Sequence, residues 1–105
     1  MTRLQLQKID VFQTAPIAEA SKDPQTAAYI LECLTRFYGG DYGPQIGEED
    51  AAVNNEDLKR GEGHALGRYQ AAAALAEDIY IDFHFSESNP GTDYNYGMIL
   101  YCSEW

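Results

Sequence analysis

The sequence predicts an α+β fold, with N-terminal helices packed on a three- to four-stranded antiparallel β-meander. Two periodicities carry that prediction. Ala27, Ile30, Leu31, Leu34, Phe37 and Tyr38 recur at three- and four-residue steps, the signature of one apolar helix face. Ile79, Ile81, Phe83 and Phe85 alternate with Tyr80, Asp82 and His84, the period of a strand with two different faces. The helical signals precede the strand signals, which is an α+β order. With 105 residues the chain suits one domain spanning 1–105.

Residues 2–12 mix apolar and polar positions without a clean period and fit either a short strand or an irregular lead-in. Thr14 is placed to cap a short helix from Ala15-Pro16 to about Ser21, since proline is tolerated in a first turn. Asp23 followed by Pro24 is a strong helix start, and Gly39-Gly40 is a stop, so residues 24–38 are predicted helical. A second long helix is expected from about Glu48 to Lys59. Glu48, Glu49 and Asp50 suit the positive end of its dipole, and Lys59 and Arg60 suit the negative end. Its apolar residues are few (Ala51, Ala52, Val53, Leu58), which predicts a surface helix with a thin buried stripe.

Strands are expected at about 64–71, 78–86 and 95–102, with a turn at Asn89-Pro90-Gly91. Ala71–Ala76 fits either a helix, by alanine propensity, or a short hairpin connection. In the 78–86 strand, Phe83 and Phe85 are expected in the core with Ile79 and Ile81, and Asp82 outside it. In the last strand Met98, Leu100 and Cys102 share one face, Ile99 and Tyr101 the other. Tyr80 and Tyr101 are expected off the core face.

Charge narrows the partners. Seventeen acids against seven bases give a net charge of −10. Residues 1–40 are balanced, residues 41–68 carry −4, and residues 69–105 carry −6 with no Lys or Arg at all. Direct nucleic-acid binding needs a cationic footprint and is not expected. Binding to an anionic membrane surface is disfavoured in the same way. No apolar run approaches the roughly 20 residues of a membrane span, and Met1–Lys8 lacks the apolar segment of an export signal. A cytoplasmic location is therefore expected. Cys33 and Cys102 stand far apart in sequence, which suits small buried hydrophobes, with a disulfide between the two halves as the alternative.

No residue pattern predicts catalysis. His64, His84, Cys33 and Cys102 have no zinc-site spacing, although Asp82 and His84 share a strand face. No serine stands in a nucleophile elbow, and Gly39–Gly43 lacks the Lys and Ser/Thr of a phosphate loop. No catalytic, metal or cofactor site is expected. The tyrosines of the acidic half suggest protein binding instead, because tyrosine is enriched at interface hot spots. The candidate partner-binding residues are Glu48, Glu49, Asp50, Glu56, Asp57, Tyr80, Asp82, Glu87, Asp93 and Tyr101.

Short motifs add a resemblance. Gly39-Gly40-Asp41-Tyr42-Gly43, then Glu48-Glu49-Asp50 and Asn54-Asn55, resembles a turn and acidic helix in small proteins of bacterial plasmids and prophages. His64-Ala65-Leu66-Gly67-Arg68-Tyr69, Ile79-Tyr80-Ile81 and Leu100…Glu104-Trp105 are similar to strands of the same family. The resemblance covers about residues 27–105 and diverges from Ala71 to Asn95. It implies a mobile-element origin and no particular chemistry. Origin and charge together predict an inhibitor of a host nucleic-acid-binding defence protein (anti-CRISPR or anti-restriction), gripping a basic surface with acids and tyrosines. The alternatives are a non-inhibitory interaction module, antitoxin-like or accessory, and then a small enzyme or metal-binding protein.

Overall fold

The computed structural model describes residues 1–105. The elements in order are α1 (Arg3–Leu6), β1 (Val11–Gln13), α2 (Ala15–Ala20), α3 (Pro24–Tyr38), α4 (Glu48–Arg60), β2 (Glu62–Tyr69), β3 (Ile79–Ser86) and β4 (Tyr96–Tyr101), closed by a 3₁₀ turn at Cys102–Glu104. No helix is long and apolar enough to cross a membrane.

The α+β class holds, and the sheet differs from the expected meander. Its order is β1-β4-β3-β2, and β1 runs parallel to β4. The sheet is therefore mixed. Only β2, β3 and β4 form the antiparallel meander. Most of the chain separates β1 from β4, so no hairpin forces that pair to be antiparallel. The three residues of β1 cover part of the β4 edge. Gly97 donates to the Asp10 carbonyl at 2.8 Å and Thr14 to the Ile99 carbonyl at 3.1 Å.

Helix α3 begins where the sequence places it. The Asp23 carboxylate accepts from the Thr26 amide at 3.0 Å and from its hydroxyl at 2.7 Å. Its buried residues are Thr26, Ile30, Cys33 and Phe37; Ile30 and Phe37 are as expected and Leu34 and Tyr38 are partly buried against the core, whereas Ala27 and Leu31 of the expected stripe face outward. Leu31 is 63% exposed. The stripe is rotated because Thr26 serves a buried partner, its hydroxyl accepting the Ala74 amide at 2.9 Å. That bond, and the Asp78 carboxylate accepting from the Ala71 amide, hold the alanine-rich segment as a turn. Ala73 takes a positive φ of 52°, and Leu75 plugs into the core. Tertiary anchoring overrides alanine's helix propensity there.

The core lies between one sheet face and helices α1, α2 and α3. Phe83 stacks on Phe37 at 5.1 Å, and Leu6, Ile17, Ile79, Ile81 and Ile99 are fully or almost fully buried around them. Gly97 stands opposite Phe83 in register, and a Cβ there would come within 2.7 Å of the Phe83 ring. Tyr101 pairs with Ile79 and so shares the core face. This corrects the expectation that it lies off the core: it is buried, and its hydroxyl accepts from the Ala76 amide. Asp82 also departs from expectation. It lies on the outer face, as the alternation requires, yet it is only 6% exposed. Both cysteines are free, Cys33 buried and Cys102 half-buried, so the disulfide alternative falls. Burial pushes both thiols up from their ordinary range.

Helix α4 runs along the free edge of β2 and supplies the bonds a further strand would supply. Asn54 donates to the Leu66 carbonyl at 2.9 Å and accepts the Leu66 amide at 3.1 Å. Asp57 accepts the His64 amide at 3.3 Å, and the Tyr42 carbonyl accepts the Arg68 amide at 2.9 Å. An unpaired strand edge is thereby closed to other chains. Close approach at Tyr42 requires Gly43, whose φ is +96° and where a Cβ would collide with the Arg68 carbonyl oxygen.

Candidate functional site

Helices α1, α2 and α3 bury their apolar residues on one side of the sheet, and α4 lies along its β2 edge. Alternation turns the other residues of every strand outward, and register sorts them into rows. Leu66, Asp82, Met98 and Phe12 form a row across all four strands. His64, His84 and Tyr96 form a second, and Arg68, Tyr80 and Leu100 a third. Trp105 lies against Tyr80 at 5.1 Å and is 61% exposed. The uncovered face is thus mostly aromatic and apolar, with two histidines, Arg68 at one end and the Asp82 carboxylate at its middle.

The Asp82 surroundings are specific. Its Oδ2 lies 2.8 Å from His84 Nε2. An ionised carboxylate only accepts, and in that state the ring nitrogen would be the donor. Its Oδ1 is buried and has no hydrogen-bond partner; His64 Nδ1 stands 3.4 Å away without hydrogen-bond geometry. The rings of His64 and His84 stack at 5.4 Å and 16°, and those of His84 and Tyr96 at 4.9 Å and 25°. Three parallel planes therefore line the row beside Asp82. Between α4 and this face lies a cleft of about 250 Å³ lined by Ile46, Asp50, Val53, Asn54, His64 and Leu66. Val53 is 58% exposed at its rim.

The structure sorts the ten candidate binding residues into three groups. Glu48, Glu49, Asp50 and Glu56 are exposed on α4 with no ion-pair partner, and Asp93 is exposed in the β3–β4 connection. Tyr80 and Asp82 belong to the uncovered face. The remaining three have other work. Asp57 binds Arg60 at 2.6 Å and the His64 amide, Glu87 binds the N-terminal ammonium at 2.8 Å, and Tyr101 is in the core. The acids of α4 and those of residues 77–93 therefore do not form one array.

Cations near the face are already engaged. Arg68 binds Asp78 at 3.1 Å and lies over the Tyr80 ring at 5.7 Å, and Arg60 binds Asp57. The Ala71 amide, with Arg68 beside it, holds the Asp78 carboxyl below the usual range. Sequence reasoning missed His64, Leu66, Met98 and Phe12 as parts of one surface, though it grouped Tyr96 with the tyrosines of the acidic half. A signal existed for half of the His64–His84 pair, since His84 and Asp82 alternate visibly. The pairing that sets His64 beside His84 is a long-range register that local pattern does not encode.

An Asp82–His84 pair resembles the orienting half of an acid–base site. No group of three or more His, Cys, Asp and Glu side chains is gathered to hold a metal ion. Comparison with protein families, curated sequences and solved structures finds no match.

Proposed function

We propose that this chain is a non-catalytic binding module for a basic protein surface. In its sharpest form it is a mobile-element inhibitor of a host nucleic-acid-binding defence protein, anti-CRISPR or anti-restriction, acting in the cytoplasm. The observation that carries the reading is the uncovered sheet face beside α4. Aromatic and apolar rows there adjoin unpaired exposed acids, while the nearest arginines are neutralised in place. Aromatic anchors supply desolvated contact area and the acids supply steering. The motifs resembling plasmid and prophage proteins support the mobile-element origin.

The mechanism is competition. Surfaces that grip nucleic acid are lined with Lys and Arg, and the exposed, unpaired carboxylates of α4 beside the uncovered face can occupy them. Affinity capture from a host lysate at low salt tests the reading. The expected catch is a basic nucleic-acid-binding protein, released as salt rises. Failure of nucleic acid to compete with this chain for the captured protein would remove the inhibitor mechanism.

A further inference from the structure

The Asp82 oxygen without a donor points to what the uncovered face receives. We propose that a single arginine side chain of the partner docks against His84 and Asp82 Oδ1, in the place the His64 ring occupies in the free protein. This rests on the reading of the face as a binding surface for a basic protein, and it names the group recognised.

Three observations converge. First, Asp82 is more than nine-tenths buried, yet its Oδ1 has no hydrogen-bond partner. A buried carboxylate oxygen left so is costly, and the natural remedy is a cationic donor. Second, His64 Nδ1 stands 3.4 Å from that oxygen, in ion-pair range but misaligned for a hydrogen bond. The His64 side chain is 50% exposed on the outermost strand, so it can swing away by a χ1 rotation. Third, Tyr96, His84 and His64 form a ladder of parallel planes. A group replacing the last rung has to be flat to stack on His84 while donating to Asp82.

A guanidinium meets all three requirements. It is planar, permanently charged and weakly hydrated, and it stacks on ring faces while donating in its own plane. An ammonium donates but does not stack. The arginine stem would lie on the apolar side of the slot, where Leu66 and Val53 border the cleft from β2 and α4. Unpaired Asp50 in the same cleft adds attraction for the incoming cation.

The probe is N-acetyl-arginine amide, followed by NMR of the histidine ring protons at about pH 8, where an unperturbed imidazole is neutral. The controls are N-acetyl-citrulline amide, flat but uncharged, and N-acetyl-lysine amide, charged but not flat. Arginine is expected to shift the His84 resonances saturably, and each control to bind at least about tenfold more weakly, the loss of one charge-assisted hydrogen bond or of the stack. His64→Ala vacates the slot and should tighten arginine binding several-fold, whereas a contact made by His64 itself would weaken. Asp82→Asn should abolish the preference for arginine over citrulline. If that variant unfolds, the His64→Ala gain decides alone, since His64 is exposed. Equal shifts from arginine and citrulline, or weaker binding by His64→Ala, would overturn the proposal. The probe needs no host protein. An empty slot alongside capture of a basic protein refutes only the arginine site, and a filled slot with no captured protein refutes only the wider function.

Discussion

The two faces of the sheet carry the same alternation and meet opposite fates. On the inner face Ile79, Ile81, Phe83 and Phe85 are buried by three helices and by one another. On the outer face Asp82 and His84 are flanked by neighbours in the same sheet, and Tyr80 by those and by Trp105. Burial on the inner face is a property of the fold, and its residues are interchangeable with others of similar volume. Burial of Asp82 is a property of pairings across the sheet, because Leu66 and Met98 flank it in register. The difference teaches where function can reside: residues that the core does not need, yet which are held in fixed relation, are available for recognition.

The contrast breaks most visibly at Phe83. Truncation to Ala removes a ring stacked on Phe37 and lying over Gly97, and it should cost about 3–5 kcal/mol. The urea midpoint should fall steeply, a large part of the stability of a domain this size. An unchanged midpoint would contradict the core assignment. The second largest effect is expected at the strand edge. Asn54→Ala leaves the Leu66 amide and carbonyl without partners and should cost about 1–3 kcal/mol. Hydrogen exchange at the Leu66 amide should then accelerate before that at the β3 amides. An effect confined to α4 would show that the helix does not hold the edge.

A third effect appears only in the pH dependence. Hydrogen bonds from Arg36 and then from the Gly43 amide hold the Asp41 carboxyl below its usual range. A group depressed in the folded state stabilises above its unfolded pKa, about 3.9. That stability is lost as pH falls through the folded value. Asp41→Asn should therefore lower the urea midpoint at pH 7 and narrow its gap to the native protein below about pH 4. A constant difference across that range would assign the effect to packing. The smallest change is predicted on the outer face. Tyr80→Ser should shift stability by only about 1 kcal/mol, because the ring is half-buried and packs on exposed Trp105. A loss as large as that of Phe83→Ala would mean that the outer face is a second core.

Local pattern made much of this fold legible. The start of α3 at Asp23-Pro24, the span of α4 and the inner-face residues of β3 follow from caps and periodicity. Three features were not legible, each for a physical reason. The parallel pairing of β1 with β4 joins segments separated by most of the chain, and no turn chemistry signals it. The burial of Asn54 uses polar atoms against a strand edge, so hydrophobic periodicity passes over it. The burial of Thr26 depends on the Ala74 amide, 48 residues away. At the outer face, alternation placed Asp82 and His84 correctly on one side. It could not supply His64, whose partnership comes from the β2–β3 register. Tyr101 was misplaced because aromatic character alone does not reveal strand phase.

The central claim is that exposed acids beside the uncovered face meet a basic partner. Glu49 and Glu56 on α4 test it best, since neither is committed to an ion pair, whereas Asp57 holds Arg60 and the His64 amide. The direct measurement is the association rate of the captured protein with the native chain and with Glu49→Lys/Glu56→Lys, read across ionic strength. Native association is expected to slow steeply as salt rises. The double variant should associate at least about tenfold more slowly at 0.01 M salt, where the Debye length is about 30 Å, and the two should converge near 1 M. Rates that are equal for the two proteins and flat in salt would leave the acidity as a means of staying soluble and would contradict charge-directed binding.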